Sequence, residues 1–327
     1  MCTRLHARKI SSTKYMDFPL LEQIRLQEEI NGLLDSIGWT RFAQLQFLAY
    51  KDTILEFLGS FKANLWPTDR EDRGRIEFRL LSVDRIMNMD EFNAIFDFDS
   101  ASHQEILRNR MLYNNINFWD SITPNTELYN SSKSKSTGIT SPAQRYMHRF
   151  STHTIMGRGD SLGIINASEL FFVWCMVTRQ LCSTGFFLCN HLRWLCQQST
   201  EHIVLSGLVT TIALHFRFVP GHHRLRFVIG TSRIDQTICI SMGICKKVGK
   251  TCYLVDAEGN TIPRRDEARE GPSETSQPQE ERQGQMFEES PIRVPPHKPP
   301  LTDPVLAYLQ RMETIIYSRM RAIEDSL

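Results

Sequence analysis

The pattern of apolar and polar positions is helical over most of the first two thirds of the chain. Apolar residues recur there at steps of three and four, which places them on one face of an α-helix. Small polar residues and glycine interrupt the pattern at 36–38 and 183–185. The pattern predicts helices over 18–36, 40–47, 50–65, about 90–96, 142–155, 167–181 and about 186–197.

Helix-start signals agree with several of these spans. Ser141-Pro142 places proline at the first helical position, where its missing N–H costs nothing. Asn166 and Glu169 have the three-residue spacing of a capping box. Asn88 or Asp90 is suited to cap the helix that follows them.

Strand patterns are short and few. Residues 75–81 alternate apolar and polar side chains, which predicts a half-buried strand. The apolar run 203–214 fits a buried helix or a strand. Short strands are also predicted at 226–229, 237–242 and 251–255. The predicted fold class is therefore mainly α: a multi-helix globular domain with a small β-containing unit at about 216–262, near its C-terminal end.

The composition divides the chain into four parts. Residues 1–14 form a basic arm that we expect to be solvated, and residues 15–262 form the globular domain. Nine of the fourteen prolines lie between Pro263 and Pro304, which predicts a disordered linker over 263–302. An amphipathic, coiled-coil-like helix is predicted over 303–327.

The last helix has an apolar stripe. Its spacing favours self-association with another copy of the chain, although docking on the main domain is the alternative. The stripe residues that we assign to self-association are Leu309, Met312, Ile316, Met320 and Ile323.

The net charge and the absence of signal or membrane-spanning patterns limit which functions the sequence supports. The net charge is +1, so binding to nucleic acid needs a local basic patch. The N-terminal residues lack the apolar core of a secretory signal, and the apolar runs are shorter than the roughly 20 residues of a membrane span. We therefore expect an intracellular protein, cytoplasmic or nuclear, without membrane contact.

Two basic clusters are candidates for weak contact with RNA or DNA. The first is on the helix that follows Ser141, where basic and aromatic residues interleave. A polar helix face packed against a neighbouring helix is the alternative interpretation. The candidate residues are Arg145, His148 and Arg149 in the first cluster and Arg217, Arg224 and Arg226 in the second.

Cysteine and histidine residues do not form a recognisable site. Cys189, His191, Cys196 and His202 have a spacing that fits neither a zinc ribbon nor a zinc finger. A thiol hydrolase would need a strained nucleophile turn and an oxyanion hole, and neither has a signal in the sequence. We predict no catalytic residue, metal, cofactor or small-molecule substrate.

Several stretches together resemble one plant family. Loose motifs keep their order from about residue 15 to 263. They are Thr53–Phe61, Ile76–Leu80, Met89–Phe98, Phe118-Trp119, Ser141–Arg158, Glu169-Leu170, Gly207–Ala213 and Leu254–Pro263. They resemble the protein of the first open reading frame in Athila-type plant LTR retrotransposons, also described as a putative plant transposon protein domain.

The resemblance implies a non-enzymatic, gag-like structural protein of a mobile element, or a host copy derived from one. The family supplies no catalytic residues to carry over. A nucleic-acid-binding module that uses basic helix faces is the alternative function. A Cys/His enzyme or metal protein is a third hypothesis, and an inactive relic with no selected function is a fourth.

Overall fold

The computed structural model describes residues 8–45, 49–65, 74–99, 109, 111–124, 127–198, 202–217, 228, 233–256 and 259–262. These residues contain ten α-helices and five strands, which confirms the predicted mainly α class. The predicted linker, the terminal helix, Arg224 and Arg226 lie outside the described residues, so those predictions stay predictions.

The helices are α1 (Phe18–Gln23), α2 (Gln27–Ser36), α3 (Lys51–Ser60), α4 (Met89–Phe96), α5 (Asn115–Ile122), α6 (Pro142–Thr154), α7 (Ala167–Thr178), α8 (Thr184–Gln197), α9 (Ser206–His215) and α10 (Gln236–Ser241). The strands are β1 (Lys62–Asn64), β2 (Arg75–Leu80), β3 (Val83–Met87), β4 (Cys245–Val248) and β5 (Thr251–Leu254). Single 3-10 turns occur at Phe42–Gln44 and Ser136–Gly138.

Local side chains begin the helices as the sequence predicts. Asn88 and Asn166 each accept a hydrogen bond from the backbone N–H three residues later. The carboxylates of Glu91 and Glu169 in turn accept a hydrogen bond from the backbone N–H of the cap residue. The Ser141 side chain accepts a hydrogen bond from the N–H of the residue three positions on. Because these signals lie within one helical turn, they are readable without knowledge of the fold.

The centre of the core is aromatic. Trp39 is fully buried, and its ring centroid lies 6.3 Å from that of Phe150 on α6 and 5.5 Å from that of Phe172 on α7. Its indole Nε1 donates a hydrogen bond of 2.9 Å to Thr184 Oγ1 at the start of α8. One side chain therefore joins the segment after α2 to three helices that follow much later in the chain.

A three-stranded antiparallel sheet packs beside α3. Its strand order is β1-β2-β3, with Ala63 opposite Ile76 and Ile76 opposite Met87. The rings of Phe57 on α3 and Phe78 on β2 lie 4.9 Å apart. The confirmed strand at 75–80 is thus the middle strand of a meander.

The N-terminal segment is part of the domain. Thr13 Oγ1 donates to the carbonyl of Val204 and accepts from the N–H of Gly207, and Ile10 forms a parallel bridge with Ile203. The expectation of a solvated arm is wrong for residues 8–14, because the apolar 203–207 run needs backbone partners that this segment supplies.

Several other predicted elements differ in the structure. In place of the predicted 40–47 helix, the described residues there form a 3-10 turn at Phe42–Gln44. The 18–36 span is two helices, because Arg25 lies in the left-handed region with φ 60°. The 50–65 helix ends at Ser60, since residues 62–64 pair with β2. The strand predicted at 237–242 is helix α10, which Asp235 caps at its N-terminus.

In the part of the chain that the structure describes, no helix has both the length and the apolarity to cross a membrane.

Gly185 marks a close approach of α8 to α4. A Cβ at Gly185 would contact the side-chain amide of buried Asn93, 3.0 Å from its Cγ. We expect Gly185→Ala to lower the free energy of unfolding by about 1–3 kcal/mol through overpacking. The matched control is Gly32→Ala in α2, where a Cβ meets nothing within 4 Å. That change should raise stability by about 0.5–1 kcal/mol. Urea unfolding measures both, and a similar stabilisation of the two variants would contradict the proposed contact.

Candidate functional site: the buried polar cluster of α6 and α7

The first predicted basic cluster lies inside the domain. Arg145, His148 and Arg149 project from α6 and are 6%, 0% and 9% exposed. They therefore do not form an exposed nucleic-acid patch, and the structure agrees with the alternative of a polar face packed against neighbouring elements. The periodicity of α6 placed these residues correctly on one helix but could not show what covers them.

The polar face of α6 surrounds the carboxylate of Glu169, which is fully buried at the first turn of α7. His148 Nε2 lies 3.1 Å from Oε2, and Thr152 Oγ1 donates to Oε1 over 3.1 Å. Arg158 Nη1 lies 2.7 and 2.8 Å from the two oxygens, and the N–H of Asn166 donates over 3.0 Å. Since a carboxylate only accepts hydrogen bonds, Nε2 of His148 is the donor in this contact.

Glu169 stays ionised in this environment. Burial alone raises its pKa, but the hydrogen bond and charge of His148, the charge of Arg158 and the backbone N–H of Asn166 outweigh burial and hold the pKa at about 2. A buried charge is tolerated only when it is paired and hydrogen-bonded in this way. The cluster thus supplies a fixed negative charge that orients α6, α7 and the loop between them.

The loop from α6 to α7 is organised by Arg158. Its guanidinium also donates to the carbonyls of Ile164 and Ser161, at 3.0 and 2.7 Å. Gly157 has φ 53°, and a Cβ there would lie 2.9 Å from His191 Nε2. The Gly-Arg-Gly-Asp run of residues 157–160 is therefore a tight structural turn whose arginine points inward.

Two other basic residues of α6 contact segments outside α7. Arg149 Nε donates to Met242 Sδ at 3.3 Å, and Arg145 Nη1 lies 3.5 Å from the carbonyl of Thr137. Burial lowers the pKa of both guanidinium groups. Burial, assisted by the Arg149 charge, lowers the pKa of His153 to about 3, so this imidazole is neutral near pH 7.

The Cys/His group has little reactive character. Burial raises the pKa of the Cys189 thiol and raises that of Cys196 to about 12, so neither is poised as a thiolate. Burial also lowers the pKa of His191 to about 4. Among the described residues, no three His, Cys, Asp or Glu side chains are grouped so that they could hold a metal ion.

An exposed basic site lies elsewhere, on the β4–β5 hairpin. Lys246, Lys247 and Lys250 are all exposed around the turn at Gly249. Arg217, from the second predicted cluster, is also exposed, just after α9. The hairpin lysines were not among the predicted residues, although three lysines flanking a glycine turn are a local signal in the sequence.

The comparisons with known proteins identify the class. A family model described as the ATHILA ORF-1 family matches residues 3–185, which is more than half of the chain. The chain therefore belongs to the Athila ORF-1 family, as the resemblance predicted, and is a retrotransposon-derived protein. No curated protein and no solved structure matched it. The match includes Trp39, its aromatic partners and the whole Glu169 cluster, whereas the β4–β5 hairpin lies outside it.

The two capping boxes provide a test of the buried cluster. Glu169→Gln should lower the free energy of unfolding by about 3–5 kcal/mol, because it leaves Arg158 and His148 without the charge that they surround. Glu91→Gln alters the equivalent but exposed box and should cost only about 1 kcal/mol. Urea unfolding at neutral pH measures both. Equal losses would show that Glu169 acts only as a cap.

Proposed function

We propose that this chain has a gag-like structural role and assembles with copies of itself. The observation that carries the proposal is a set of large apolar side chains that remain exposed within the family-matched part. Met111, Leu112, Ile116 and Leu128 are 87%, 57%, 42% and 71% exposed. These four residues lie between positions 111 and 128 of the chain, and contiguous exposed apolar surface is typical of protein–protein contacts.

These side chains project from an anchored part of the chain. The ring of Tyr113 packs 5.2 Å from Phe171 and 5.4 Å from Trp174, both on α7. Asn114 caps α5 immediately afterwards. Met111 and Leu112 therefore face outward beside a residue that is held firmly in the domain, which supports a preformed contact surface.

The predicted C-terminal stripe is the second element of the proposed assembly. Leu309, Met312, Ile316, Met320 and Ile323 would bury little area in an isolated helix, so pairing with a second chain is the favoured way to cover them. We therefore assign self-association to this helix, with the exposed surface at Met111 and Leu112 as a further contact.

Light scattering tests the assembly. We expect the full chain at micromolar concentration to form dimers or larger particles, and Met320→Asp to lower their mass by placing a charge in the apolar stripe. Ser318→Asp is the matched control, since residue 318 lies on the opposite side of the predicted helix. It should retain the wild-type mass.

A version that ends at Ile262 separates the two contacts. If it still associates and Leu112→Asp disrupts it, the domain surface carries the assembly. Monomers for the full chain and every variant would contradict the gag-like proposal.

The basic hairpin favours contact with nucleic acid as a second candidate function. Three exposed lysines around an exposed turn can approach a phosphate backbone without rearrangement, unlike the buried residues of α6. Arg217, Arg224 and Arg226 remain candidates for the same role.

Replacing Lys246, Lys247 and Lys250 together with glutamine should weaken binding to single-stranded RNA. The binding constant falls with salt concentration, and the steepness of log binding constant against log salt concentration should decrease by about 2. This figure corresponds to about 0.7 for each lost phosphate contact. Lys62→Gln, at an exposed lysine on β1, is the control for loss of a charge elsewhere. Fluorescence anisotropy over a salt series measures both quantities, and an unchanged slope would remove the hairpin from this role.

A further inference from the structure

The β4–β5 hairpin carries two buried thiols on one face. Cys245 lies opposite Leu254, and Cys252 lies opposite Lys247, so the cysteines are diagonal neighbours that point to the same side. Their Sγ atoms are 3.6 Å apart. The two residues are only 3% and 1% exposed.

We propose that Cys245 and Cys252 form a reversible disulfide when the protein meets a small peroxide. The sulfur atoms need to approach from 3.6 Å to about 2.0 Å, which side-chain rotation and a small strand shift can supply. Diagonal partners in a sheet sit farther apart than an unstrained disulfide prefers. A strained disulfide is easier to reduce, and this is why we infer a reversible modification.

A small recess reaches one of the two cysteines. It has a volume of about 50 Å³ and lies between the end of α1 and β5, and Cys252 is among its lining residues. A cavity of about 10–15 Å³ holds one water molecule, so the recess has room for a molecule the size of hydrogen peroxide. Cys252 is therefore the first thiol to react.

Cys245 is suited to react second. It does not line the recess, and burial, together with the neighbouring Cys252, raises the pKa of its thiol. A thiol of this kind reacts slowly with a peroxide. It lies within reach of the Cys252 sulfur once that sulfur has been oxidised.

The reaction balances with one peroxide. The Cys252 sulfur attacks a peroxide oxygen, the O–O bond breaks, and the departing hydroxide takes the Cys252 proton to form water. Cys252 is then a sulfenic acid. The Cys245 sulfur attacks the Cys252 sulfur, the S–O bond breaks, and a second water leaves with the Cys245 proton. Two thiols are oxidised and one peroxide is reduced to two waters.

The bond would close a short loop that contains Lys246, Lys247 and Lys250. Oxidation would thereby fix the hairpin that presents these lysines and from which the chain continues towards the predicted linker. The inference rests on the geometry of the two cysteines and not on either proposed function.

The test uses the full chain, reduced and then exposed to graded hydrogen peroxide. We expect the thiol count of the denatured protein to fall by two from its total of eight. Peptide mapping under non-reducing conditions should show Cys245 joined to Cys252, and dithiothreitol should restore both thiols. A link to Cys239, a link between chains, or retention of both thiols would overturn the proposal.

Cysteine variants test the order of reaction. In Cys245→Ser, a dimedone probe should trap Cys252 as sulfenic acid, whereas in Cys252→Ser it should not label Cys245. Cys239→Ser and Cys189→Ser, at buried cysteines outside the pair, should still lose two thiols. Alanine versions, checked by circular dichroism, replace any serine variant that does not fold. Labelling of Cys245 but not Cys252 would overturn the assigned order.

Discussion

The buried carboxylate of Glu169 constrains the arrangement of the helices around it. An ionised group without solvent is tolerated only while its partners keep their positions, and here they come from α6, from the loop after it and from the cap of α7. Any rotation of α6 against α7 would break several of these bonds at once. The same pair of helices holds Phe150 and Phe172 against Trp39, so the polar cluster and the aromatic core fix one another.

The polar residues of α6 contact two neighbouring parts of the fold. His148 and Thr152 face Glu169, whereas Arg149 reaches Met242 beside α10. The first set of contacts lies within the family-matched residues, and the second joins them to the unit at the C-terminal end of the domain. Basic residues that the sequence indicated as a nucleic-acid patch thus connect the family-matched residues to the C-terminal unit of the domain.

Local signals in the sequence predicted local structure well. The capping boxes and the proline start lie within a few residues of the helices that they begin, and these helices are present. Strand β1, the docked segment 8–14 and the burial of Arg145 depend on residues far along the chain, so no periodicity could show them. The Glu169 site was found only as a cap, because its pairing with Arg158 follows from the folded loop and not from a motif.

The two candidate functions use separate surfaces. The exposed apolar residues around Met111 lie within the family-matched residues and are anchored on α7, while the lysines lie on the β4–β5 hairpin outside that match. Assembly and contact with nucleic acid therefore need not compete for one site. Because Cys245 and Cys252 belong to the hairpin, their oxidation would act directly on the basic surface and would leave the apolar surface unchanged. The proposed oxidation and the proposed assembly therefore concern separate parts of the protein.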